Sequence, residues 1–188
     1  MSITPRQVAA EVLIDVLING AYSNILLPRT LNKSSLAPRD KSLVTELVYG
    51  TLRLKGRHDQ RIASVANRPL AEIDPKVLAI LEMGSHQLFE MRIPSYAAVS
   101  GTVDVARSIA GHGSSSFVNA VLRSLTNNND QSDEQATHPD WIISSYKDAL
   151  KSDDEVTALV SANNRPATPT LVAWPGRSSV SELIDEGA

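Results

Sequence analysis

Apolar side chains recur at three- and four-residue spacing through most of the first 127 residues, which is the period of helices that bury one face. A first helix is expected over about Pro5 to Leu17, with Val8, Val12 and Val16 in one row and Ala9, Leu13 and Leu17 in the next. Thr4 precedes a proline at the first helical position and fits an N-cap, and Asn19-Gly20 fits the stop. Ser23 opens a short helix with Ile25, Leu26 and Leu27 on its apolar face, followed by the polar loop Asn32 to Ser35. Pro38-Arg39-Asp40-Lys41 leads into a longer helix bearing Leu43, Val44, Leu47, Val48 and Leu52. A further helix from His58 to Ala66 is interrupted at Arg68-Pro69, because proline disfavours helical geometry in the residue before it.

Asp74 and Pro75 cap and start the helix expected to be the most buried, with Val77, Leu78, Leu81, Leu88 and Phe89 facing inward. Ile93-Pro94 turns the chain. Val99, Val103, Ala106 and Ile109 mark the next helix, ended near Gly111-His112-Gly113, and Ser114 to Ser116 are expected to cap a helix bearing Phe117, Val121, Leu122 and Leu125. Gly50 and Gly84 lie inside strong helical patterns, where each costs about 1 kcal/mol relative to alanine. Close helix crossing is the offset favoured for them, the alternative being room for a ligand backbone. No alternation of strand type occurs before residue 128, and an all-α bundle over residues 4–127 follows.

Residues 128–136 are polar and acidic, with too little apolar surface to offset the entropy of ordering, and are expected to be a flexible linker. Thr137-His138-Pro139-Asp140 has the spacing of a capping box and starts a helix with Trp141, Ile142 and Tyr146. His138 has no second histidine nearby, so a helix start is favoured over catalysis or metal binding. Another helix spans about Asp153 to Ala162, Thr170 to Trp174 has strand composition, and Val180 to Glu186 begins one more helix. One strand and one partial helix cannot build a sheet layer alone.

Composition narrows the chemistry. The 188 residues include no cysteine, which excludes disulfides, thiolate metal sites and cysteine nucleophiles. No run approaches the ~20 apolar residues of a membrane span, nor does the N-terminus resemble a secretion signal, and a cytoplasmic location is expected. The net charge of −3 conceals an asymmetry: 14 Lys and Arg against 10 Asp and Glu through residue 127, then 4 against 11. A basic head before an acidic segment is compatible with a nucleic-acid-facing domain joined to a linker.

Two segments end on Leu-Arg, namely Leu47-Val48-Tyr49-Gly50-Thr51-Leu52-Arg53 and Phe117-Val118-Asn119-Ala120-Val121-Leu122-Arg123. Between them lie Asp74-Pro75-Lys76-Val77-Leu78-Ala79-Ile80-Leu81 and Arg92-Ile93-Pro94-Ser95-Tyr96-Ala97-Ala98-Val99. In that order and spacing they resemble the NusB-like RNA-binding domain, in the version that opens the RsmB-type ribosomal RNA cytosine-C5 methyltransferases. His138-Pro139-Asp140-Trp141 and Asn163-Asn164-Arg165-Pro166 look like the linker segments of those enzymes. The resemblance implies a NusB-like bundle, then a short helical linker and the start of an incomplete α/β subdomain over residues 137–188. It also implies that the chain stops before the catalytic domain.

Methyl transfer by these residues alone is not expected. Cytosine C5 becomes nucleophilic enough only after a thiolate adds at C6, and no thiol is present. Gly111-His112-Gly113 follows a helix and has too few glycines for a turn that holds S-adenosylmethionine, a cofactor the resemblance places in the absent domain. RNA recognition remains, with Arg6, Arg39, Lys41, Arg53, Lys55, Arg57, Arg61, Arg107 and Arg123 as candidate phosphate contacts. The resemblance adds Ser114, Ser116 and Asn119, and Asn119 has a rival role as a buried hydrogen-bonding group in its own helix. Tyr22, Tyr49 and Tyr96 are the available stacking platforms in the bundle. Three functions stay open: a domain guiding ribosomal RNA to a separate methyltransferase domain, an antitermination factor binding RNA with a ribosomal protein, and a protein interaction module without RNA.

Overall fold

Nine α-helices and two short 3-10 turns (Leu70–Glu72 and Glu134–Thr137) account for the regular structure of the described residues, which are 3–128, 132–165 and 171–185 of this computed structural model. The α-helices are α1 (Pro5–Leu17), α2 (Ser23–Lys33), α3 (Pro38–Arg53), α4 (Lys55–Val65), α5 (Pro75–Phe89), α6 (Ser95–Asn127), α7 (Asp140–Leu150), α8 (Asp153–Asn164) and α9 (Val180–Asp185). The caps follow the sequence closely. Thr4 Oγ1 accepts from the Gln7 N–H while Gln7 Oε1 accepts from the Thr4 N–H, a full capping box. Gly20 takes φ +72° after α1, and Asp74 Oδ1 accepts from the amides of Lys76 and Val77 at the head of α5.

Helix α5 is the centre of the bundle. Residues 79 to 87 of it are all buried, and it packs against α1, α3, α4 and α6. Leu13, Leu47, Ile62, Ile80, Leu81, Met83, Leu122 and Leu125 form the fully buried apolar core. Gly50 and Gly84 both sit at crossings, as expected. A Cβ on Gly84 would lie 2.9 Å from the Leu122 methyls and 3.0 Å from Thr102 Cγ2, and a Cβ on Gly50 would overlap the His86 ring.

A polar seam runs through this core. Glu82, almost fully buried, receives Lys55 Nζ at 3.1 Å, and the same ammonium lies 2.6 Å from Asp59 Oδ2. Burial pushes the Glu82 carboxyl up to about 8, with Lys55 opposing the rise and Asp59 adding to it. As carboxylates, Glu82 Oε2 and Asp59 Oδ1 would be buried acceptors without partners. A proton held on Glu82 at its raised pKa would give the pair a donor to share with Asp59. Beside this pair His86 stacks edge-on against His58 at 5.5 Å, and His58 Nδ1 lies 3.1 Å from Ser85 Oγ.

Several expectations need correction. Ser114 to Ser116 do not cap a helix: α6 breaks at Gly111 (φ 86°, ψ 178°), helix resumes at once, and Ser115 Oγ donates back to His112 O at 2.7 Å. Thr137 does not cap α7, whose N-cap is Pro139. Thr137 belongs to a 3-10 turn (Glu134–Thr137), where its hydroxyl meets His138 Nδ1 and accepts from Asn164 Nδ2, both at 2.8 Å. Leu171 to Trp174 form no strand, since no neighbouring strand exists among the described residues to pair with them; Thr170 lies outside those residues.

The expected linker of 128–136 lies partly outside the described residues, at 129–131. Its described end is docked on α4. Ser132 Oγ accepts from Arg57 Nε at 3.1 Å, the Asp133 amide donates to Gln60 Oε1 at 2.8 Å, and Ala136 O lies so close to Gly56 that a Cβ there would overlap it. Polar anchors replace the apolar ones that the composition lacks.

Candidate nucleic-acid interface

Four of the expected phosphate contacts are engaged within the fold: Lys55, which is paired with Glu82 and Asp59, and Arg61, Arg6 and Arg57. Arg61 is buried: its Nη1 lies 2.8 Å from Glu90 Oε1 and 3.3 Å from His58 Nδ1, and its guanidinium caps the Phe89 ring at 4.3 Å. That is a structural position, and the expectation of an exposed cation there is not met. Arg6 is half-buried, donates from Nε to Gln87 Oε1 at 2.7 Å, and lays its stem over Gly101, where a Cβ would come within 2.9 Å. Burial lowers its pKa from the ordinary value, which for an arginine leaves the charge in place. Arg57 is held by Ser132.

The cations of α3 are divided between its two ends. Arg39 and Lys41 stand in its first turns and Arg53 in its last, with Arg39 and Arg53 exposed. Fourteen residues of helix separate Arg39 from Arg53, roughly 21 Å of rise, so the pair cannot grip one phosphate. Ser114 lines a separate cavity of about 300 Å³ with Arg68, Asp74 and Phe117, where the Arg68 guanidinium lies 4.7 Å from the Phe117 ring centroid. Ser116 is exposed, its hydroxyl directed at His112 O at 3.4 Å.

Asn119 and Arg123 do come together with other candidates. The break at Gly111 folds the second half of α6 back along the first, and the two halves flank a groove of about 460 Å³. Tyr96, Val99, Ser100, Val103, Asp104 and Arg107 line it from the first half; Asn119, Arg123 and Thr126 line it from the second. Helical spacing produces both rows: 96, 100, 103 and 107 share one face, as do 119, 123 and 126. Asn119 is half-buried, and its Oδ1 accepts from Arg123 Nε at 3.1 Å, which orients the guanidinium while leaving its terminal amino groups available. Arg107 Nη1 lies 3.3 Å from Asp104 Oδ1. Tyr96 is 79% exposed.

Ser100 and Thr126 escaped the sequence reading, as did Arg68. For the first two a signal existed in the periodicity with Tyr96, Arg107 and Arg123. For Arg68 none did, since its ring partner is 49 positions away. The described residues contain no group of three or more His, Asp or Glu able to hold a metal, and no described helix is long and apolar enough to cross a membrane.

Comparison with known proteins places this architecture. Ribosomal RNA small subunit methyltransferase B of Pseudomonas syringae pv. tomato is 34% identical over 181 residues, covering 89% of this chain and 38% of that protein. A Bacillus subtilis protein named "Probable ribosomal RNA small subunit methyltransferase B" is 34% identical over 196 residues, covering 97% of this chain and 43% of its own length. The chain thus spans about two fifths of the relatives it matches. The crystal structure of PH0851 superposes with a TM-score of 0.66 at 16% identity, over 99% of this chain and 44% of that one, which shows a shared fold. The model of the NusB family matches residues 3–127, and the chain belongs to that family.

Proposed function

We propose that these 188 residues are the RNA-recognition part of a ribosomal RNA cytosine-C5 methyltransferase, positioning the RNA while methyl transfer from S-adenosylmethionine proceeds on residues outside them. The observation that carries the reading is a NusB-family domain whose guanidinium groups at Arg39, Arg53, Arg107 and Arg123 are all exposed, at helix ends and in the α6 groove. Exposed cations on a rigid all-helical frame suit phosphate contacts, which fix position and orientation without reading sequence. The absence of cysteine supports leaving the chemistry to other residues, since no group here can add to cytosine C6.

The antitermination reading, with a ribosomal protein as partner, gives no role to the segment after the bundle. Here that segment is fastened to α4 through Arg57, Gln60 and Gly56, which favours a domain built to carry further structure. Fluorescence anisotropy with a labelled small-subunit ribosomal RNA hairpin tests the proposal. Direct, saturable binding in the micromolar range at about 50 mM salt is expected, a range between the non-specific and specific regimes of nucleic-acid binders. Binding weaker than millimolar, or binding that requires an added ribosomal protein, would overturn it.

A further inference from the structure

We propose that the groove between the two halves of α6 seats an unpaired stretch of RNA, with one base stacked on Tyr96 and phosphates further along the strand on Arg107 and Arg123. The inference deepens the RNA-recognition reading and rests on it. At about 460 Å³ the groove falls within the size range of small-molecule clefts, enough for a nucleotide and far too small for a duplex. Its floor is apolar, from Val99 and Val103, and its rims are polar.

The three groups that a nucleotide requires occur along it. Tyr96, 79% exposed at the first turn of α6, presents a ring that has no partner in the bundle core. Any unpaired base can stack on such a ring, whereas a paired base cannot reach it. Arg107 lies eleven residues further on the same helical face, roughly 16 Å along the axis, so base platform and cation are separated by more than one nucleotide. Across the groove the Arg123 guanidinium is already oriented by Asn119 Oδ1, which lowers the entropy lost when it engages an anion. Asp104 beside Arg107 offsets the positive charge of that wall, which leaves Arg123 as the uncompensated cation of the groove. Affinity therefore leans on Arg123 and on stacking more than on Arg107.

The experiment compares a labelled single-stranded oligoribonucleotide of about ten nucleotides with a fully paired RNA hairpin lacking a long loop, using the full chain. For the single strand, Tyr96→Ala is expected to weaken binding roughly 5- to 150-fold, the range of one lost base–aromatic stack. Arg123→Glu is expected to weaken it at least about tenfold, and Arg123→Lys to restore part of that loss. The paired hairpin should distinguish the Tyr96 variant from the parent by less than about twofold. All three variants lie on the surface, and unchanged thermal midpoints will confirm that they fold. Photocrosslinking with 4-thiouridine should label the peptide that contains Tyr96. If the parent binds RNA and both Tyr96→Ala and Arg123→Glu bind equally well, or the crosslink maps outside α6, the groove assignment is wrong and the RNA reading stands. If the parent binds neither RNA, the RNA reading itself is wrong.

Discussion

At Gly84 a single methyl group has no room: Leu122 and Thr102 approach the backbone from α6 on both sides. The glycine was legible as a crossing because its cost inside an apolar helix needs an offset, and the offset is the tight α5–α6 contact. Gly84→Leu should therefore lower stability by roughly 1 to 3 kcal/mol through overpacking, read as a shifted urea midpoint. An unchanged midpoint would show that the crossing can open without loss. Arg61 was not legible in the same way. Its neighbours Phe89 and Glu90 lie 28 and 29 positions later, and nothing local marks it as buried. Glu82 was equally silent in the sequence, yet it controls a pH effect. Its folded pKa of about 8 stands above the ordinary 4.5, so between those values the folded protein holds a proton that the unfolded chain has lost. Stability from this group is full below about 4.5 and declines as pH rises toward 8. His86 acts in the opposite direction: burial lowers its pKa, so its contribution rises with pH and is complete above the ordinary 6.5. From about pH 7.5 to 8.5 the unfolded imidazole is already neutral, so the His86 contribution is flat while that of Glu82 still falls. Thermal midpoints should fall over that interval in the parent and stay level in Glu82→Gln, which keeps a neutral hydrogen-bonding group; equal slopes in the two would refute the shared proton.

Among the elements, α1 and α5 were readable because period, N-cap and proline agree, and α3 and the start of α6 because period and proline do. Where only one signal was present, the outcome differed. The Thr-x-x-Asp spacing at 137–140 looked like a cap, but the Thr137 hydroxyl is taken by His138 and Asn164, and Asn164 sits 27 positions away. Leu171 to Trp174 have β-branched and aromatic composition, but composition fits a pleated surface and does not supply the partner strand. The 3-10 turn at 134–137 docks through polar contacts that hydrophobic patterning cannot detect. Gly56→Ala should push that turn off α4, because the added methyl collides with Ala136 O. Hydrogen exchange at the Asp133 amide, which now donates to Gln60, should accelerate while α5 amides keep their protection. Unchanged exchange at Asp133 would mean that the close approach is not what holds the turn.

For the whole molecule, the sequence revealed a basic bundle followed by an acidic segment, while the distribution of the cations required the fold. Of the twelve phosphate and RNA contacts inferred from sequence, Arg61 is sequestered, Lys55 is paired with Glu82 and Asp59, Arg6 and Arg57 are engaged by the bundle and its docked segment, and Arg107, Asn119 and Arg123 meet in one groove with Tyr96. Helical hairpins bring together residues on two rows separated by a turn, and the break at Gly111 that does so was visible in the sequence only as the end of a helix. The four exposed candidates Arg39, Arg53, Arg107 and Arg123 then imply about four neutralised phosphates, so affinity for RNA should be governed by counterion release. The salt dependence of binding tests this most directly. Between about 50 and 200 mM salt, affinity for the ribosomal RNA hairpin loop should fall roughly 50-fold, from a slope near −0.7 per phosphate. Affinity that is independent of salt over that range would contradict an interface made of guanidinium and phosphate.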